Sequence, residues 1–151
     1  MDVIDLQSKA IPKRGKIEAY WFENENIGLP RTLFHRLYLP FEPMDTGLEY
    51  VGQPQTTEIC YEWLTLGLED QSALDGLNLS SVNYPDAEAS IYVGAAHNPI
   101  EFDKFSMQAI KPRLFKITAE MTVLFEFEGV ACNERFSLET EASFEGVVGD
   151  S

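Results

Sequence analysis

Residues 113–145 read RLFKITAEMTVLFEFEGVACNERFSLETEASFE, and the alternation within them decides the fold class. From Phe115 to Phe127 every odd position is apolar: Phe115, Ile117, Ala119, Met121, Val123, Phe125 and Phe127. The even positions between them are polar except Leu124. After Glu128-Gly129 the phase inverts, so that Val130, Cys132, Phe136, Leu138, Ala142 and Phe144 form the apolar set. A period of two over such lengths specifies strands. With Glu128-Gly129 as a two-residue turn, the register sets Met121 against Phe136, Ala119 against Leu138 and Lys116 against Glu141. It also sets Phe125 against Cys132, which makes Cys132 a small inward-facing hydrophobe. Val123 against Glu134 conflicts with the pattern and marks the expected place for a bulge.

The rest of the chain carries shorter signals of the same kind. Ile17–Phe22 and Thr32–Leu39 read as strands rich in aromatic and branched residues. Pro40, Pro43, Gly47, Gly52 and Pro54 punctuate a long connection, in which only Leu48–Val51 is strand-like. Residues 57–68 fit both an alternating strand and a helical stripe, and their aromatic content favours a strand. Residues 69–79 allow one short helical turn. Residues 87–96 form a strand that His97-Asn98-Pro99 breaks, and 100–110 alternate briefly before the pattern fades.

The expected fold is all-β: an antiparallel β-sandwich or distorted barrel of about seven strands. It has a long C-terminal hairpin (113–127/130–145) and at most one short helix. Residues 1–16 read as a flexible N-terminal arm, 17–147 as a single β domain and 148–151 as a C-terminal tail. The start of the chain has neither the basic nor the apolar segment of a secretory signal, no apolar run is long enough to span a membrane, and two cysteines make no disulfide framework. A cytoplasmic protein is expected.

Net charge is −14 and unevenly placed. Residues 37–103 contain twelve Asp or Glu and no Lys or Arg, whereas residues 1–36 are nearly balanced. Phosphate backbones would be repelled by such a segment, which argues against nucleic acid; a basic protein would be attracted.

Catalytic signatures are absent: there is no phosphate-binding glycine loop, nucleophile elbow, paired-cysteine motif or zinc-protease motif. The chemically richest cluster is His97, Glu101 and Asp103, which could serve a metal or a hydrolase, yet each has an ordinary explanation as turn or wet-face chemistry. His35, set among leucines, reads as a core or rim residue. The leading expectation is therefore a non-enzymatic, acidic protein-binding module without a cofactor, neutralising a basic partner in the way immunity proteins neutralise toxins. Its expected contact residues are Glu49, Tyr61, Glu62, Trp63 and Asp70, with acids steering the approach and aromatics anchoring the contact. A self-assembling structural protein is the alternative from a different class.

Overall fold

The computed structural model describes residues 1–68, 70 and 72–148. Eight strands follow one another: β1 (Gly15–Asn24), β2 (Leu29–Pro40), β3 (Glu58–Leu64), β4 (Asn78–Leu79), β5 (Glu88–Val93), β6 (Ala96–Lys111), β7 (Leu114–Val123) and β8 (Glu134–Val147). A four-residue helix, α1 (Leu6–Lys9), precedes them, and a single 3-10 turn, Glu25–Ile27, joins β1 to β2.

One sheet runs in the order β4-β6-β5-β3-β2-β1-β8-β7, and a further β6–β7 pairing closes it on itself. The result is a seven-stranded barrel with β4 appended to β6. Of the two architectures expected, the barrel forms. Closure leaves no open edge among the seven strands, which removes the usual template for edge-to-edge association. The pairing is antiparallel throughout except between β1 and β8, which run parallel, Gly15 opposite Ala142. This departs from the fully antiparallel expectation, because closing an odd number of strands forces two neighbours to point the same way.

Strand alternation fills the barrel. Ile17, Leu37, Ile59, Phe102, Met121 and Phe136 point inward and are at most 3% exposed. Small barrels of this size are packed by side chains rather than hollow. The β7–β8 register runs unbroken from Leu114↔Ser143 to Val123↔Glu134, with Met121 opposite Phe136 and Ala119 opposite Leu138, as the alternation requires. The connection differs from expectation. Strand pairing stops at Val123, and residues 124–133 form a looped cap instead of a two-residue turn. Phe125 is buried, Phe127 is 76% exposed, and the Cys132 N–H donates to Asp2 O at 2.7 Å, so Cys132 abuts the chain start rather than Phe125. Lys116 faces Glu141 in register, but its ammonium pairs with Glu139 at 2.7 Å while Glu141 pairs with Arg14 at 2.9 Å.

The N-terminal residues are not a solvated arm. Ile4 and Leu6 are fully buried, and they join Phe41, Met44 and Leu48 from the 41–57 connection, and Phe125, Val130 and Ala131, in closing one end of the barrel. Ile4 and Leu6 lie two apart without further periodicity, so no amphipathic pattern announced their burial. The helical turn expected over 69–79 does not form in its described residues, of which Asn78–Leu79 are β4; Glu69 and Gln71 lie outside the described residues. Leu48–Val51 is not a strand either. Of the tail expected over 148–151, residues 149–151 lie outside the described residues.

The break expected at His97-Asn98-Pro99 is absent, because β6 runs through it. The β5–β6 hairpin turns at Gly94-Ala95, both in the left-handed region (φ 66 and 61), as tight hairpin turns demand. A Cβ on Gly94 would stand 2.6 Å from Tyr50 Oη and 2.8 Å from Val130 Cγ1, so the hairpin tip is pressed into the cap. Asn98 is fully buried and its amide donates to the carbonyls of Ile91, Val93 and Ala96, tying the hairpin together. Pro99 stands at the end of the β7 ladder, where its carbonyl still accepts from Leu124 N–H and its missing N–H forgoes only the return bond of that last rung. The pattern fades after 102 because β6 bulges: the register passes from Phe102↔Met121 to Lys104↔Glu120, with Asp103 the extra residue. The buried set accordingly shifts from Ile100 and Phe102 to Phe105 and Met107.

Candidate functional site

Strand β3 forms as a strand over the residues that were ambiguous between strand and helix, and it carries the central feature of the outer wall. Its register with β2 passes from Leu37↔Tyr61 to His35↔Leu64, so Glu62 and Trp63 together face Arg36. This bulge holds Trp63 at φ 62, a left-handed conformation that costs a non-glycine residue roughly 1–2 kcal/mol. It also turns both side chains outward. Trp63 there packs against Phe22 (5.2 Å between ring centroids), Phe34 (5.3 Å) and Tyr20 (6.0 Å), which project outward from β1 and β2. Phe34 is buried on the outside of the barrel by these rings, while Tyr20, Phe22 and Trp63 remain partly exposed.

Charge is arranged on the same wall. Glu62 stands directly opposite Glu88 of β5, and the β5–β6 register, Ala89 opposite Ile100, carries the row on to Glu101. Like charges facing each other across a sheet are destabilising. Among the described residues no salt bridge reaches Glu58, Glu62, Glu88 or Glu101. The carboxylate of Glu62 instead accepts from the Tyr20 hydroxyl at 3.5 Å and from the Cys60 thiol at 3.9 Å. Burial, with Glu62 alongside, pushes the Tyr20 hydroxyl up to about 12. Burial, with Glu62 and Glu58 on either side, likewise pushes the Cys60 thiol up to about 12. Cys60 is thus a protonated, unreactive thiol at neutral pH.

Toward the capped end the wall dips into a groove of about 530 Å³ between the outward faces of β3, β5 and β6. Glu58, Cys60 and Glu62 form one side, and Ser90, Tyr92 and His97 the other. Tyr92, 48% exposed, lies edge-on to His97 with ring centroids 4.8 Å apart.

The expected contact residues divide. Glu62 and Trp63 meet on the outer wall as described. Tyr61, expected at a partner surface, is 1% exposed and points into the barrel against Phe102 and Phe105, because the strand alternation sends it to the face opposite Cys60 and Glu62. Glu49 and Asp70 are exposed but lie at opposite ends of the barrel. Glu49 belongs to the connection whose Tyr50 hydroxyl donates to Gly94 O at the hairpin tip. Asp70 belongs to the connection that binds the far end of β6 through Gly76 N–H to Met107 O and Ala109 N–H to Asp75. The Asp70 carboxylate accepts from Ser72 N–H and Oγ, which hold it below the usual range. The five residues therefore do not converge on one site.

His97, Glu101 and Asp103 all face outward from β6, with Asp103 ion-paired to Arg135. Among the described residues no three His, Cys, Asp or Glu side chains gather as a metal site would require. His35 is buried inside the barrel, 6.2 Å from the ring of Phe144. No helix among the described residues is long and apolar enough to cross a membrane. No family model, curated protein or solved structure matches the chain.

Sequence reasoning missed Glu58, Glu88, Ser90 and Tyr92. The alternations Glu58-Ile-Cys-Tyr-Glu62 and Glu88-Ala-Ser-Ile-Tyr92 do place these side chains on the polar face of their strands. The missing information was pairing: β3 lies beside β5 across the intervening loop and β4, so neither the groove nor the facing glutamates can be read from either strand alone.

Proposed function

We propose that the protein is a cytosolic, non-enzymatic binding module whose outer barrel wall engages a basic protein and neutralises it, in the manner of an immunity protein. The aromatic cluster around Trp63 supplies the anchors, and the row Glu62, Glu88 and Glu101 supplies the complementary charge. The single observation that carries this reading is the pairing of Glu62 with Glu88 beside a tryptophan in left-handed backbone. Both features cost folding free energy where they stand, and strain retained against stability collects at functional surfaces. A cationic partner would relieve the first and bury the second.

Photo-crosslinking tests it. A photoreactive phenylalanine at position 22, 63 or 88, introduced into the protein in lysate of its own cells, should capture a protein of high isoelectric point. The same group at Glu139 or Glu141, on the wall of β8, should not. Capture should weaken as salt rises, since exposed charges are screened beyond about 8–10 Å at physiological ionic strength. An acidic captured protein, or equal capture from β8, would overturn the reading.

A further inference from the structure

The molecule shows on its own surface how it holds a guanidinium. Arg36 lies over the Tyr20 ring at 4.8 Å and donates to Glu18 at 3.0 Å, a stack and a carboxylate in one cradle. Arg31 likewise lies over Trp21 at 4.4 Å. The groove over β3 and β5 presents the same parts in a different arrangement: in the Arg36 cradle the ring and the carboxylate come from one strand, whereas here the β3–β5 register sets the exposed Tyr92 ring of β5 opposite Glu58 of β3. Tyr92 is the ring; Glu58 and Glu62, which no salt bridge among the described residues engages, are the carboxylates. Among the described residues Lys13 is the one Lys or Arg lining the groove, with His97 beside Tyr92.

We infer that this groove receives an arginine side chain of the protein partner, its guanidinium stacked on Tyr92 and its planar fork directed at Glu58, with Glu62 farther along β3 adding negative charge. The inference rests on the reading of a basic partner and adds to it the residue type and the seat. Arginine is selected over lysine because only a planar, weakly hydrated cation both stacks on a ring and donates two parallel hydrogen bonds to a carboxylate. The groove is also distinct from the Trp63 cluster, with Glu62 at the boundary between them.

The test uses the full chain and two probes, acetyl-Gly-Arg-Gly-amide and its lysine counterpart, followed by backbone amide shifts in NMR titration. The amides of Cys60, Ser90, Tyr92 and His97 should move with the arginine peptide, which should bind more tightly than the lysine peptide. Replacing both carboxylates (Glu58→Gln with Glu62→Gln) should weaken arginine binding by about tenfold or more, the scale of hydrogen bonds to charged groups. Tyr92→Leu, at an exposed position that leaves the fold intact, should abolish the preference for arginine. Equal binding of the two peptides, no shift up to millimolar peptide, or shifts confined to Trp63, Glu88 and Glu101 would each overturn the groove assignment. The last of these would leave the basic-partner reading standing; that reading falls separately if crosslinking at positions 22, 63 and 88 captures an acidic protein.

Discussion

The backbone N–H of Leu6 donates to the carboxylate of Glu134 at 2.8 Å, across 128 positions of sequence. Glu134 stands at the start of β8, opposite Val123, where an apolar residue would satisfy the strand pattern. The misfit has a purpose at the level of tertiary structure. The first turn of α1 has no side-chain cap of its own, and Glu134 reaches from the barrel rim to satisfy the donor there. That contact lowers Leu6 into the barrel end.

Removing either partner should therefore unseat the cap. Leu6→Ala should cost about 2–5 kcal/mol in urea denaturation, because the side chain is fully buried. Glu134→Ala should cost about 1–3 kcal/mol for the orphaned N–H, and Glu134→Gln, which keeps an acceptor, should cost less. A Leu6→Ala variant as stable as the parent would mean that residues 1–14 do not pack as described.

These contacts also mark where the sequence is legible and where it is not. The Met121↔Phe136 and Ala119↔Leu138 pairs follow from alternation alone, since a one-residue slip would turn every buried side chain outward. Closure of the sheet by β6 and β7 does not follow, because Asp103 breaks the alternation of β6 with an extra residue. Burial of Ile4 is likewise invisible, as Met1, Val3, Ile4 and Leu6 are spaced with no period and only Ile4 and Leu6 are buried. The candidate site was half legible: Glu62 and Trp63 were identified, yet strict alternation puts Tyr61 and Trp63 on one face. The bulge reverses that relation, sending Trp63 outward and leaving Tyr61 in the core.

Tyr61 gives a prediction of unusual sign. Its hydroxyl is buried with no hydrogen-bond partner among the described residues, and its ring packs against those of Phe102 and Phe105 with centroids 5.3 and 4.8 Å apart. Tyr61→Phe keeps the packing and removes an unsatisfied group, so it should leave stability unchanged or raise it by up to about 1–3 kcal/mol. Tyr61→Ala should cost about 3–5 kcal/mol for the lost ring. A Tyr61→Phe variant markedly less stable than the parent would show that the hydroxyl is bonded in solution.

Stability should fall at alkaline pH. Burial beside Glu62 raises both the Cys60 thiol, from 9.0 to about 12, and the Tyr20 hydroxyl, from 10.0 to about 12. Each group is held protonated in the folded state and ionises sooner in the unfolded chain. Their contribution is thus complete below pH 9 and is lost as pH rises from there toward 12. Urea midpoints measured at pH 8 and pH 10.5 should differ, and Cys60→Ala should flatten the difference. A midpoint independent of pH over that range would contradict the environment assigned to both side chains.

The facing glutamates separate folding from binding. Glu88→Lys replaces a like-charge cross-strand pair with an opposite-charge pair on the same rung, and should raise stability by about 0.2–1 kcal/mol. The same change removes negative charge from the proposed docking surface, so it should slow association with any partner captured by crosslinking and reduce the dependence of that rate on salt. Trp63→Ala should act differently, raising the dissociation rate and costing about 2 kcal/mol or more of binding, as central aromatic anchors do. Reversal of Glu139 and Glu141, whose carboxylates already pair with Lys116 and Arg14, should leave association unchanged while weakening the fold slightly. The decisive comparison is stopped-flow association of Glu88→Lys beside its urea midpoint. A variant that is both more stable and equally fast to bind would show that the glutamate row serves no partner, and the functional reading would then fall with it.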